Sequence, residues 1–425
     1  MDRVELGRES DWQVDREIEL LLCCARARPE PHHLRRMRQL LSEGIDWERL
    51  LPLAERHGML PLLHRHLETA AADLIPLERR AALRTAFLEN AGRVLGLVGE
   101  LFEILQLFEM HGIAAVPYKG PLLGEQLYGD LALRQAGDLD IVLRKADLPR
   151  AGELLLQRGY RPRAALAPGE EEFSLRVGYH EIFDREGALP FTVELHWAFT
   201  RADFAIPLDF DALAARLEPT SLQGRSLSRF AREDLLLILC IHGAKHRWKR
   251  LEWICGVAEA LRAPGEIDSI HLLERAEALQ SRRMLLLGLY LAHDLLDAPL
   301  PPELEQEICS SRWISRLGVQ VRHWLRQDAR EPTQPLSLLP EGVLFHLQLI
   351  DGLRERLRFL RYFLSTPNRE GWILPQVGGR SIPVHVLLRP FQLGKNFVSR
   401  RLRNRRTPAH RYGKETGESP EDPPR

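Results

Sequence analysis

The segment from His111 to Leu143 constrains this chain more than any other. Ile113 to Val116 is a short apolar run with a β-branched residue at each end, and it reads as a strand. Lys119-Gly120 breaks the run. Pro121 suits the first turn of a helix, because its φ is already helical and its missing N–H would have no partner there. Leu122 to Tyr128 continues that helix. Asp138-Leu139-Asp140-Ile141-Val142-Leu143 then alternates acid with apolar, so on a strand the two carboxylates share one face.

Two carboxylates on one strand face, beside a Gly turn at a helix N-terminus, can cradle metal and phosphate. The acids would hold Mg²⁺, and the turn N–H groups with the helix dipole would attract phosphate oxygens. A third acid is available downstream. Phe191 to Trp197 is another strand pattern, whose alternation puts Glu194 and His196 on one face. The competing reading of Asp-x-Asp is a solvated strand edge. The Lys-Gly turn on one side and Glu-x-His on the other weigh against it without removing it.

The set Lys119-Gly120, Arg134, Asp138-x-Asp140 and Glu194-x-His196-Trp197 resembles the nucleotidyltransferases of the polymerase-β superfamily. It most resembles a bacterial branch of nucleotidyltransferase-like proteins that carries Lys-Gly where the superfamily usually has Gly-Ser. The resemblance covers roughly residues 95–255. It implies a small mixed sheet presenting three carboxylates, Asp138, Asp140 and Glu194. These would bind two Mg²⁺ ions and catalyse transfer of NMP from an NTP, with ATP as the expected donor. Gly120 and Arg134 are then expected on the phosphates, and Lys119 is either a phosphate contact or a structural replacement for a small residue. His196 would support Glu194 from behind. Two departures stand out: the Lys itself, and a longer interval between Gly120 and Asp138 than is usual in the superfamily.

The rest of the 425-residue chain frames this core. The expected class is α+β: helical residues 1–111, a catalytic core at 112–205, a helical region at 206–365, and an irregular basic tail at 366–425. Leu77 to about Met110 reads as one long helix closed by His111-Gly112. Asp46 is a candidate N-cap. His57, His64 and His66 read as surface or packing residues. Tyr179 to Phe183 and Phe191 to Trp197 read as a hairpin, with His180 expected in cross-strand packing. Beyond residue 200 the pattern is helical. One helix from Arg232 would run through His242, Lys245, His246 and Lys249 on one side. The resemblance offers Lys245 as a further phosphate contact; a solvated basic face is the alternative. His242 and His246 lack the adjoining Glu of a zinc protease. Trp253, Leu261, Leu272, Leu285 and Leu289 are predicted core. Val343 to Leu364 reads as one helix, with a Pro-rich linker at 330–340 before it.

Composition excludes some functions. Lys plus Arg equals Asp plus Glu at 59 each, so overall charge makes no case for nucleic acid or a membrane surface. The five cysteines lack metal or disulfide spacing, the N-terminus lacks an apolar signal core, and no apolar run is long enough to span a bilayer. A cytoplasmic protein is the expectation. The sequence leaves the acceptor and the oligomeric state open. A scaffold module that binds nucleotide without transfer, or a toxin–antitoxin-type enzyme that nucleotidylates protein or RNA, are the rival readings.

Overall fold

A computed structural model describes residues 15–164, 175–176, 178–204, 206, 209–327 and 340–365. The acidic run at Glu170 to Glu172, the 330–339 stretch of the linker and the basic tail from 366 lie outside them. The chain divides into two units, Met1–Phe359 and Leu360–Arg425. The fold is α+β, a mixed sheet with flanking helices.

Helices α1 (Arg16–Cys24), α2 (Pro31–Ser42), α3 (Trp47–Arg56) and α4 (Leu60–Ala71) come first. Asp46 caps α3 by accepting from the N–H groups of Glu48 and Arg49. Helix α5 (Leu77–Met110) follows, and Gly112 closes it in the left-handed region at φ +72°. Strand β1 (Ala115–Pro117), helix α6 (Gly120–Tyr128), strand β2 (Leu139–Leu143), helix α7 (Leu148–Gln157) and strands β3 (Arg161–Pro162), β4 (His180–Arg185) and β5 (Phe191–His196) make the central layer.

The sheet order is β1-β2-β5-β4-β3. Only β2 and β5 are parallel. Pro117 fits because β1 is an edge strand, where a missing N–H breaks no ladder bond. The back of the sheet is dry. Leu139, Ile141, Leu143, Val193 and Leu195 are all buried there against Val94 to Phe108 of α5 and Leu148 to Leu155 of α7. Each such side chain contributes roughly 1.5–3 kcal/mol by burial. The first half of α5 belongs to a different core: Leu83 joins the helical cluster built from α1 to α4 and the later helices, as do Val116, Tyr118 and Val142 from the sheet's front. Helix α5 therefore serves both cores.

After the sheet come α8 (Phe210–Ala214), a hairpin of β6 (Glu218–Leu222) and β7 (Arg225–Arg229), and helices α9 (Arg232–Lys245), α10 (Leu251–Arg262), α11 (Ser269–Ala278), α12 (Arg282–Leu296), α13 (Pro302–Cys309), α14 (Arg312–Arg326), α15 (Pro340–Leu349) and α16 (Leu353–Ser365). The hairpin corrects the all-helical expectation beyond residue 200. Its two-residue turn, Gln223-Gly224, takes positive φ at both positions (47° and 78°), the twist that matches antiparallel strands. The expected long helix from Val343 is broken, because Ile350, Asp351 and Gly352 separate α15 from α16.

The expected helix through Lys249 also stops short, at Lys245. Arg247 and Trp248 both turn left-handed, at φ 60° and 53°. This folds the Trp248 indole, fully buried, into a notch formed by Gly243 and Gly288, where a Cβ at either glycine would collide with it. Burying an indole outweighs the roughly 1–2 kcal/mol that each left-handed residue costs. Lys249 therefore leaves the row formed by His242 and Lys245.

Candidate active site

The period-2 rule sends the residues between the back-face apolar positions forward. Asp140 lies directly opposite Glu194 in the parallel pair, and Val142 opposite His196. In the antiparallel pair His180 faces His196. Asp140, Glu194, His196 and His180 thus converge on the front of three neighbouring strands. They line a cleft of ≈ 550 Å³, which also takes in Lys119, Arg134, Asp138 and Lys245. All the expected site residues except Gly120 line this one cleft. Gly120 sits at its edge, at the start of α6.

Asp140 is 5% exposed and His196 is 1% exposed. Lys119 Nζ donates to Asp140 Oδ1 at 2.9 Å, and His196 Nε2 lies 3.0 Å from the same oxygen. His196 Nε2 is also 3.2 Å from Glu194 Oε2, so one imidazole bridges the two acids. His180 Nδ1 lies 2.8 Å from that Oε2. The expectation of mere cross-strand packing for His180 is therefore corrected: it bonds the site's third acid. Tyr179 stacks on it at 4.0 Å between ring centres, pinned by its carbonyl, which accepts from the N–H groups of Trp197 and Ala198.

The turn before α6 is equally tight. Gly120 has φ +56°, and a Cβ there would sit 3.0 Å from the Asp138 carbonyl oxygen. Arg134 Nη1 donates to the Gly120 carbonyl at 3.2 Å. Asn90 of α5 holds the loop that leads to Asp138, donating to the carbonyls of Ala132 and Arg134. Lys245, at the end of α9, donates to the Phe199 carbonyl at 3.3 Å and sits 4.1 Å over the Tyr179 ring.

These neighbours split the three carboxyls. Burial alone would raise Asp140, but Lys119 and His196 outweigh it and hold it well below the usual range. Burial also acts upward on Glu194, and hydrogen bonds with His180 and His196 bring it far down. Among the described residues no hydrogen bond reaches the Asp138 carboxylate, and the charges of Lys119 and Arg134 only partly offset what raises it. Burial, then the charges of Asp140 and Glu194, push it up to about 6. Burial and the nearby Lys119 lower Lys245 to about 7.

The donors suit a divalent cation. Both hydrogen bonds to Asp140 fall on Oδ1, and both contacts to Glu194 fall on Oε2. Among the described residues, Asp140 Oδ2, Glu194 Oε1 and the Asp138 carboxylate carry no hydrogen bond. Hard carboxylate oxygens crowded enough to raise Asp138 are what Mg²⁺ binds well. His180, Glu194 and His196 also offer ligand atoms within 4.8 Å of one another.

A family model described as "uncharacterised nucleotidyltransferase" matches residues 43–297, more than half of the chain. The chain belongs to that family. The match spans α3 to α12 and so includes the whole sheet, the cleft and part of the flanking helical layer. Nucleotidyl transfer is the activity class the family carries. No curated protein and no solved structure matches the chain. Among the described residues no helix is long and apolar enough to cross a membrane.

Proposed function

We propose that this family member transfers NMP from an NTP, ATP being the expected donor, to a hydroxyl acceptor, with Mg²⁺ held by Asp138, Asp140 and Glu194. The observation that carries the reading is the register of β2 and β5, which sets Asp140 beside Glu194 on the cleft face with Asp138 one step upstream. When bound, two such ions supply activation of the acceptor hydroxyl and charge stabilisation on the leaving pyrophosphate. His196 and His180 fix the rotamers of Asp140 and Glu194 and leave their other oxygens free. The N-terminus of α6, from Gly120, and the side chains of Arg134 and Lys245 hold phosphate oxygens. In the transfer the acceptor oxygen bonds to the α-phosphorus and releases its proton to water as the bond to pyrophosphate breaks.

A second reading is favoured by one contact. Lys119 neutralises Asp140 inside the acid cluster, as expected of a module that binds nucleotide and no longer transfers it. Purified protein is incubated with Mg²⁺, α-labelled NTPs and a cell lysate. Label on an RNA, protein or small molecule, lost in Glu194→Gln, supports transfer and names the acceptor. Nucleotide binding without pyrophosphate release selects the second reading, and absence of metal-dependent nucleotide binding rejects both.

A further inference from the structure

Three rings line the cleft on the side of the helical layer: His242 and His246, one turn apart at the end of α9, and Trp253 on α10. Trp253, predicted as core, packs half-buried against the helical core and also lines the cleft. The His242 and His246 ring centres are 4.7 Å apart, and Trp253 lies 5.4 Å from the first and 5.1 Å from the second. Among the described residues no hydrogen bond holds a side-chain nitrogen of any of the three. Burial, with the positive charges of Lys119 and Lys245, keeps both imidazoles well below their usual pKa, so they are neutral rings at pH 7. Trp248 needs the left-handed turn after Lys245 for its own burial, and that turn swings the chain from α9 into α10, bringing Trp253 beside the two histidines.

We infer that the nucleobase of the donor nucleotide stacks on Trp253, in a shelf that His242, edge-on to the indole at 90°, and His246, tilted from it by 37°, complete. The inference rests on the nucleotide reading above and adds where the base lies. Two properties point to a base rather than to phosphate or an acidic acceptor. The shelf is aromatic and its imidazoles are neutral, so it offers π-faces and imidazole donor and acceptor atoms, and the Arg250 guanidinium, 6.0 Å over the Trp253 ring, can flank a stacked base as it flanks the indole. It is also continuous with the cationic part of the cleft, since Lys245 lies between the two histidines on α9 and faces Tyr179 and the Phe199 carbonyl. A nucleotide has the same layout, with a flat uncharged end joined to a polyanion.

Calorimetry with Mg·ATP and with Mg·tripolyphosphate, which has the phosphates and no base, tests this on the full-length protein. Base–aromatic stacking is worth enough that Trp253→Ala should weaken Mg·ATP binding about tenfold or more. It should leave Mg·tripolyphosphate binding unchanged, and Trp253→Phe should restore ATP binding to within about threefold. Thermal melts check that both variants fold. Equal loss for both ligands, no loss for either, or failure of the Phe variant to rescue overturns the shelf while leaving the phosphate and metal site standing. A wild-type protein that binds tripolyphosphate but neither ATP nor another NTP overturns the nucleotide reading together with the shelf and leaves only an anion site. One that binds none of these ligands overturns the nucleotide reading and the shelf together.

Discussion

The two faces of strands β2 and β5 come from the same ten or so residues and obey opposite physics. Behind the sheet, Leu139, Ile141, Val193 and Leu195 are buried among aliphatic side chains, and nothing there needs a partner. In front, Asp140 and His196 are as deeply buried, among charges that need one another. Burying a carboxylate costs several kcal/mol unless it is paired, so the front persists only because Lys119, His180 and His196 answer the acids. The back face stabilises the sheet, and that stability holds the charged front in place.

The largest break in this comparison is on the front, in chemistry rather than folding. Glu194→Gln keeps the shape and removes the third negative charge. It should lower nucleotidyl transfer by on the order of a thousandfold, about 4 kcal/mol in barrier, while the melting temperature moves by only a few degrees. Labelled-nucleotide turnover measures it, and a variant with wild-type turnover removes Glu194 from the mechanism.

The mirror-image change is on the back. Ile141 is fully buried between α5 and α7. Ile141→Ala should destabilise by about 3 kcal/mol through lost burial and the cavity left behind. Turnover per folded molecule should stay near wild type. Denaturant melts with active-site titration separate the two effects. Loss of turnover without loss of stability would mean that the two faces are not separable.

Asp138 gives a smaller effect with a sign. Its folded pKa, about 6, lies above the ordinary 3.8, so in the metal-free protein its charged form is disfavoured by folding. That contribution is favourable below about pH 4 and is lost as the pH rises through 6. Asp138→Asn should therefore stabilise metal-free protein at pH 7.5 by up to about 2 kcal/mol, with no gain at pH 4. Added Mg²⁺ should shrink the difference by stabilising the wild type selectively. Melts across pH, with and without Mg²⁺, check this; a gain that does not change with pH rules out the charge argument.

Part of this architecture is readable from the residues alone. Alternation in Asp138 to Leu143 and in Val193 to His196 reveals which side chains share a face, because the strand period is a local property. The extent of α5, its Gly112 stop and the Asp46 cap are local as well. Which strands become neighbours is not local. The parallel pairing of β2 with β5 joins residues about fifty apart in the chain through α7, β3 and β4, and it alone sets Asp140 against Glu194. The role of His180 is non-local for the same reason, since it follows from the β4–β5 register. The spacing of His242, Lys245, His246 and Lys249 suits a longer helix and hides the end of α9, while the demand of Trp248 for the Gly288 notch on α12 decides the turn. The β6–β7 hairpin had one usable signal, Gln223-Gly224, but its strands are rich in Ser and Arg rather than β-branched residues.

The smallest predicted effect tests the seam between the two faces. Gly120 holds φ +56°, where an L side chain costs about 1 kcal/mol, and a Cβ there meets the Asp138 carbonyl at 3.0 Å. That carbonyl is backbone, so it cannot rotate away as a side chain would. Gly120→Ala should therefore move the turn and the start of β2 apart by a few tenths of an ångström and destabilise by about 1–2 kcal/mol. The displacement acts on the front, because the Gly120 carbonyl anchors Arg134 and the preceding residue, Lys119, pairs with Asp140. The core behind Leu139 is left intact. Binding of Mg·tripolyphosphate should weaken about threefold to tenfold, more than the stability change alone affects the folded fraction. Gly152→Ala on α7 is the control: its Cβ would meet the Phe183 ring at 3.3 Å, behind the sheet and without a positive φ. If both variants weaken phosphate binding equally, the turn is only a packing element; a loss confined to Gly120→Ala identifies it as the edge on which the phosphate site is built.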